Sequence, residues 1–283
     1  MTPRPLVRQP CWRSAAGGTP RPGERVLAEE TPVALVYDGA THAVMMATPA
    51  DLEDFAVGFS LSEKLADTAD DILELEVVGQ ALGVELRMRL AEGCGQRQVT
   101  RRRHLAGPVG CGLCGVQSLA EAVRPAPAVA GWAPVSAEAI MVAMAAMPHA
   151  QWLNQEVRAV HAAAFWRPGG GPGNGIVALR EDVGRHNALD KLAGALARRR
   201  IAAGDGVVLL SSRISVEMVQ KSAQFGAPMV VAVSAPTALA VRTAEACGIT
   251  LVGVARDDGF EVFSHPGRIV GTSMATRPVL GVS

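Results

Sequence analysis

Three short apolar runs in the second half, Gly206 to Leu210, Met229 to Val233 and Ile249 to Val254, constrain this chain more than any other feature. They are rich in β-branched residues and do not alternate with polar ones, the pattern of strands covered on both faces. Between them, Val216/Val219/Ala223 and Ala238/Leu239/Arg242/Ala246 recur at helical spacing, and Gly248 stands where a left-handed residue closes the second helix. Strand, helix, strand, helix, strand predicts right-handed crossovers and a largely parallel sheet, so the expected fold class is α/β. Ligands of such sheets bind outside the carboxyl ends of the strands. There the sequence places Ser211-Ser-Arg-Ile-Ser215, Ser234-Ala-Pro-Thr237 and Val254-Ala-Arg-Asp-Asp-Gly259, a polar rim suited to a nucleotide with phosphates. No P-loop, glycine-rich dinucleotide fingerprint or zinc deaminase signature accompanies it.

The first half reads differently. Val33 to Tyr37 and His42 to Ala47 flank Asp38-Gly39, which predicts an antiparallel hairpin. Thr48-Pro49-Ala50-Asp51 predicts a helix start, with Thr48 as N-cap ahead of Leu52, Phe55, Ala56 and Phe59. Val84 to Leu90 alternates strictly and predicts a half-exposed strand. The Pro-rich stretch Arg124 to Pro134 reads as a semi-rigid connector. The expected organisation is therefore a flexible tail over 1–25, a smaller α+β domain over 26–130 and an α/β cofactor-binding domain over 131–283.

Charge excludes little and identifies no partner. Lys+Arg 27 balance Asp+Glu 27, and positive charge clusters at Arg101, Arg102 and Arg103. No apolar run approaches the length of a bilayer span, and the N-terminal stretch lacks the apolar core of an export signal, so the expectation is a soluble cytoplasmic protein. Five cysteines, at 11, 94, 111, 114 and 247, argue against a disulfide framework.

Two constellations carry chemistry. In Gly110-Cys-Gly-Leu-Cys-Gly115 the paired thiols follow Arg101, Arg102, Arg103 and His104 and precede residues at helical spacing, so neighbouring positive charge and a helix N-terminus both favour the thiolate. Thiolates attack sulfane sulfur. A zinc site completed by Cys94, His104 or Cys247, a thioredoxin-like redox pair and an inert pair remain open on these residues alone. The second constellation, Glu181-Asp-Val-Gly-Arg-His-Asn-Ala-Leu-Asp-Lys191, opens a helix whose apolar face is Leu189, Leu192, Ala193 and Leu196. Arg185, His186, Asn187 and Lys191 could gather round a phosphate or base edge, with Glu181 and Asp182 orienting them. The plainer alternative is a solvated helix start.

With His161-Ala-Ala-Ala164, Ser212-Arg-Ile-Ser-Val-Glu-Met-Val-Gln-Lys221 and Val233-Ser-Ala-Pro-Thr237, these motifs stand in the order seen in formate dehydrogenase accessory sulfurtransferases, the FdhD family. The resemblance runs from about Thr31 to Ile269. It implies a cytidine-deaminase-like α/β fold without zinc chemistry, a homodimer, and sulfur relay from a cysteine desulfurase to a molybdenum cofactor, bis-molybdopterin guanine dinucleotide, destined for formate dehydrogenase. No permanently bound metal, nucleic acid or membrane is expected. By the same resemblance Cys111 is the persulfide-forming cysteine and Cys114 its partner. Val254, Ala255, Arg256, Asp257, Asp258 and Gly259 correspond to the stretch contacting the guanine dinucleotide, and Arg185, His186, Asn187, Arg213 and Lys221 to residues lining that cavity. Where such proteins commonly carry Thr-Gly-Gly, this chain has Arg158-Ala-Val160, and a stiffer turn near the cavity is expected. The rival reading is a non-catalytic carrier that hands on the cofactor without transferring sulfur.

Overall fold

The three apolar runs form β10 (Val207–Leu210), β11 (Met229–Ala232) and β12 (Thr250–Arg256), paired in parallel. The structure, a computed structural model, describes residues 2–94, 125–131, 134–168, 170, 175–256 and 258–271. Every residue of β10 and β11 is buried, as non-alternating runs require. They sit inside a six-stranded sheet of order β13-β12-β11-β10-β8-β9, completed by β8 (His161–Trp166), β9 (Ile176–Asp182) and β13 (Gly259–Ser264). These added pairings are antiparallel, so the sheet is mixed and not largely parallel. Helices join β9 to β10, β10 to β11 and β11 to β12, whereas β9 folds straight back on β8 and β13 on β12.

Helices cover both faces. On one lie α4 (Arg185–Arg198), α5 (Val216–Gln224) and α6 (Ala238–Cys247), where Leu189, Leu192, Met218 and Ala244 pack against Val208, Leu210, Val230 and Leu251. Gly248 closes α6 at φ 80°, as anticipated. On the other face α2 (Ala137–Ala150), its start capped by the Ser136 hydroxyl, packs Ile140, Met144 and Met147 against Leu209, Val231 and Val252. After α2 comes the short α3 (Trp152–Val157). The two-residue strands β7 (Val135–Ser136) and β14 (Ile269–Val270) pair beside this layer. Among the described residues no helix is long and apolar enough to cross a membrane.

In the first half β3 (Thr31–Tyr37) and β4 (Ala40–Ala47) form the anticipated hairpin, with Asp38 and Gly39 at φ 49° and 78°. With β5 (Ile72–Gln80) and β6 (Gly83–Leu90) they make a four-stranded sheet of order β4-β3-β6-β5. On β6 Val84, Leu86, Met88 and Leu90 face the core, while Arg87 and Arg89 reach outward to Glu85 and Glu74. Helix α1 (Leu52–Ser62) lays Phe55 and Phe59 on this sheet. Its other side meets α4 backbone to backbone: a Cβ on Gly58 would lie 1.7 Å from the Asp190 carbonyl oxygen, and one on Gly194 1.9 Å from that of Asp54. Only glycine permits that approach.

Two local expectations are corrected. Asp51, not Thr48, is the α1 N-cap, at φ 51° and without a side-chain bond, because Thr48 is committed to distant partners. The N-terminal stretch is no solvated tail: β1 (Leu6–Arg13) and β2 (Arg21–Ala28) pair antiparallel from Leu6↔Ala28 to Arg13↔Arg21. Pro10 and Pro22 are tolerated because both strands of a lone ribbon are edges. Leu6, Val26 and Ala28 seat its base on Leu153 and Val157 of α3.

Candidate functional site

The carboxyl ends of β10, β11 and β12 meet at one edge, where their loops are laced together. Ile214 bridges Pro236, the Thr237 N–H donates to the Ile214 carbonyl at 2.9 Å, and the Val254 N–H reaches the Ser234 carbonyl at 3.4 Å. Strand β8 starts at the same edge, its Ala162 N–H donating to the Ser211 hydroxyl at 2.8 Å. Arg213, Arg256 and Asp258 are exposed on this rim, and Gly259 takes φ 140° beside them. A bulge between Gly253 and Arg256 puts Val254 at φ 52°, an uncommon angle for a β-branched residue. Its effect is to turn Ala255 inward, where it is 2% exposed in the apolar layer under α2, and Arg256 outward. Ala255 is thus a packing residue. Asp257 lies outside the described residues, as do Cys111 and Cys114.

The central motif is a buried joint. Asp182, fully buried, pairs with the Lys191 ammonium at 2.6 Å and accepts from the Thr48 N–H at 2.9 Å, the Gly184 N–H at 2.7 Å and the Asn187 amide at 2.9 Å. Lys191 also donates to the Thr48 carbonyl, and Asn187 to that of Met46, at 2.9 and 2.8 Å. The end of β4 is thereby clasped to the start of α4. Glu181 turns the other way and accepts the Leu153 and Asn154 N–H groups at the N-terminus of α3; burial raises its pKa, against those two bonds. Lys221 donates to both carboxylate oxygens of buried Asp190, at 2.7 and 2.8 Å, with Glu63 at 3.7 Å. Burial raises the Asp190 pKa and the Lys221 ammonium opposes it. Asn187, Lys191 and Lys221 are therefore interior groups with protein partners. The role of Thr48 was missed because its place before a helix read as a cap.

Arg185 and His186 differ. They open α4, whose N-cap Gly184 provides no side-chain bond, next to α5, whose N-cap Ser215 provides none either. Among the described residues the Arg185 Nε has no hydrogen-bond partner. His186 Nε2 stands 3.9 Å from Glu217 Oε2. Burial would raise the Glu217 carboxyl, but the His186 ring and Ser215 hydroxyl beside it win, and it falls to about 2. Burial, then the charges of Arg185 and His186, lower the His161 pKa. Two uncapped helix N-termini and two arginines, Arg185 and Arg213, favour anionic ligands at this edge.

The model of the FdhD/NarQ family matches residues 28–270. The chain belongs to that family. Among its relatives, the sulfur carrier protein FdhD of Agrobacterium fabrum is 51% identical over 254 residues, covering 89% of this chain and 92% of that protein. That of Brucella abortus is 49% identical over 247 residues, covering 87% and 90%. A solved structure from Desulfotalea psychrophila, described as a formate dehydrogenase accessory protein, superposes with TM-score 0.73 at 23% identity, over 94% of this chain and 99% of that one, and supports the fold.

In this FdhD/NarQ chain the cysteine motif falls between β6 and β7, within the matched span. The other cysteines are dispersed: Cys94 is buried in the first-half core, Cys247 is buried at the end of α6, and Cys11 lies on the ribbon. Arg158, which opens the turn expected to be stiffer, holds φ 55° after α3, a conformation that glycine adopts more easily.

Proposed function

We propose that this chain is a sulfurtransferase that carries sulfur as a Cys111 persulfide from a cysteine desulfurase to bis-molybdopterin guanine dinucleotide, for use by formate dehydrogenase. The reading rests on family membership, with relatives at about half identity named sulfur carrier proteins, in a chain that has Cys111-Gly-Leu-Cys114. The Cys111 thiolate attacks the outer sulfur of the donor persulfide, the donor S–S bond breaks, and the donor cysteine leaves as a thiolate. After docking at the cargo, Cys114 attacks the inner sulfur of the Cys111 persulfide. A Cys111–Cys114 disulfide forms and the outer sulfur leaves as hydrosulfide, to be taken by molybdenum; a thiol reductant resets the pair.

The dinucleotide cargo sits, in this proposal, on the carboxyl edge of the six-stranded sheet. Arg185, His186 and Arg213 face its phosphates, with Arg256, Asp258 and Gly259 on the guanine side. Asn187 and Lys221 act one step back, holding α4 and α5 in place. The same reading takes the fold as cytidine-deaminase-like, divides it near residue 130 into a smaller α+β unit and a cofactor-binding unit, and places a homodimer in the cytoplasm. Mass spectrometry of the protein incubated with a desulfurase and cysteine tests it. A gain of one sulfur atom on Cys111, lost in Cys111→Ala together with formate dehydrogenase maturation, is expected. Full maturation by Cys111→Ala would leave only the non-catalytic carrier.

A further inference from the structure

The β1–β2 ribbon precedes the span 28–270 that the family model matches. It carries Arg8, Arg13, Arg21 and Arg25 against a single acidic side chain, Glu24, in a chain of formal net charge +0. Between the ribbon and α3 runs a groove of about 430 Å³, walled by Arg8, Arg13 and Arg25 on one side and by Arg158 on the other. Its own carboxylates, Glu24 and Glu156, do not neutralise it. Arg8 meets Glu24 only at 4.0 Å, with both side chains mostly exposed, and Arg13 donates to the Glu24 backbone carbonyl, not its carboxylate. Among the described residues Arg25 and Arg158 have no carboxylate at ion-pair distance. Register puts Pro10, Trp12 and Pro22 on the ribbon face that packs on α3 at its base, and beyond that base Trp12 is 73% exposed.

We infer that the ribbon and α3 form a docking groove for an extended acidic segment of a partner protein. Exposed arginine beside exposed tryptophan is the side-chain composition of protein interfaces. Charge argues for a carboxylate-rich partner, since four arginines, Arg8, Arg13, Arg25 and Arg158, line the groove against two carboxylates of its own. The arginines are also solvated along the rim, where a carboxylate-rich chain meets them through several charge-assisted hydrogen bonds at once. The inference is independent of the sulfur chemistry, since none of these residues belongs to the sheet-edge site.

The test is fluorescence anisotropy of a labelled poly-glutamate peptide with the full-length protein at low salt. Binding that weakens as salt rises, and falls at least about tenfold in R8A/R25A/R158A with the fold intact by circular dichroism, is expected. Because glycine suits the backbone at φ 55°, Arg158→Gly keeps the fold in any case and should still lose several-fold. Glu156→Gln, which removes a competing carboxylate, should tighten binding. Equal affinity in the wild type and in Arg158→Gly would overturn the inference. So would displacement of the peptide by inorganic pyrophosphate at matched charge, or preference for a single-stranded DNA oligonucleotide.

Discussion

The central motif and the strand-end rim are equally polar in sequence, yet one is sealed inside the molecule and the other lines its surface. Asp182, Asn187 and Lys191 spend their hydrogen-bonding capacity on one another and on Met46 and Thr48, whereas Arg213 and Arg256 project from the edge with none of that enclosure. Density of charge along a chain therefore does not tell a ligand site from an internal joint. Topology does, because a polar stretch at a strand's carboxyl end is open only if no other element closes over it. Here the end of β4 closes over the start of α4, and nothing described covers Arg213.

Removing one half of the sealed pair should give the largest effect. Lys191→Met strands the Asp182 carboxylate without its cation, and urea unfolding should show a loss of about 3–5 kcal/mol. A loss under 1 kcal/mol would mean that the joint is wet and that the contrast with the rim is false. Arg213→Ala should do the reverse, with stability changed by no more than about 0.5 kcal/mol. Its affinity for guanosine diphosphate, read by calorimetry, should fall about tenfold, as expected when one charge-assisted phosphate contact goes. A third effect concerns Glu217, which lies between the two regions. Its carboxyl stands near 2 in the folded chain against an ordinary 4.5, so the stability it contributes is complete above about pH 4.5 and is lost as pH falls towards 2. The stability gap between wild type and Glu217→Gln should therefore narrow between pH 5 and pH 3, and a gap that widens there would reverse the assignment.

What the sequence disclosed follows the same division. Strands β10 to β12 were legible because β-branched runs buried on both faces have few other solutions, and the Asp38-Gly39 hairpin because its angles demand those residues. Strand β8 was not, since His161-Ala-Ala-Ala164 has poor strand propensity and is held extended by pairing with β10 and β9. The ribbon was hidden by prolines and arginines that look like solvated tail. At the site, the exposed rim arginines were legible from their place after buried strands. The partners of Lys191 and Lys221 were not, because no local pattern announces a bond to Thr48 or Asp190.

The clasp also sets a schedule for synthesis. Thr48 leaves the ribosome 143 residues ahead of the lysine that must bind its carbonyl. At about 5–20 residues per second that is a wait of roughly 7–30 s. During that interval the nascent first sheet and α1 can pack on each other, but the face of α1 at Asp54 and Gly58 waits uncovered until translation passes the middle of α4.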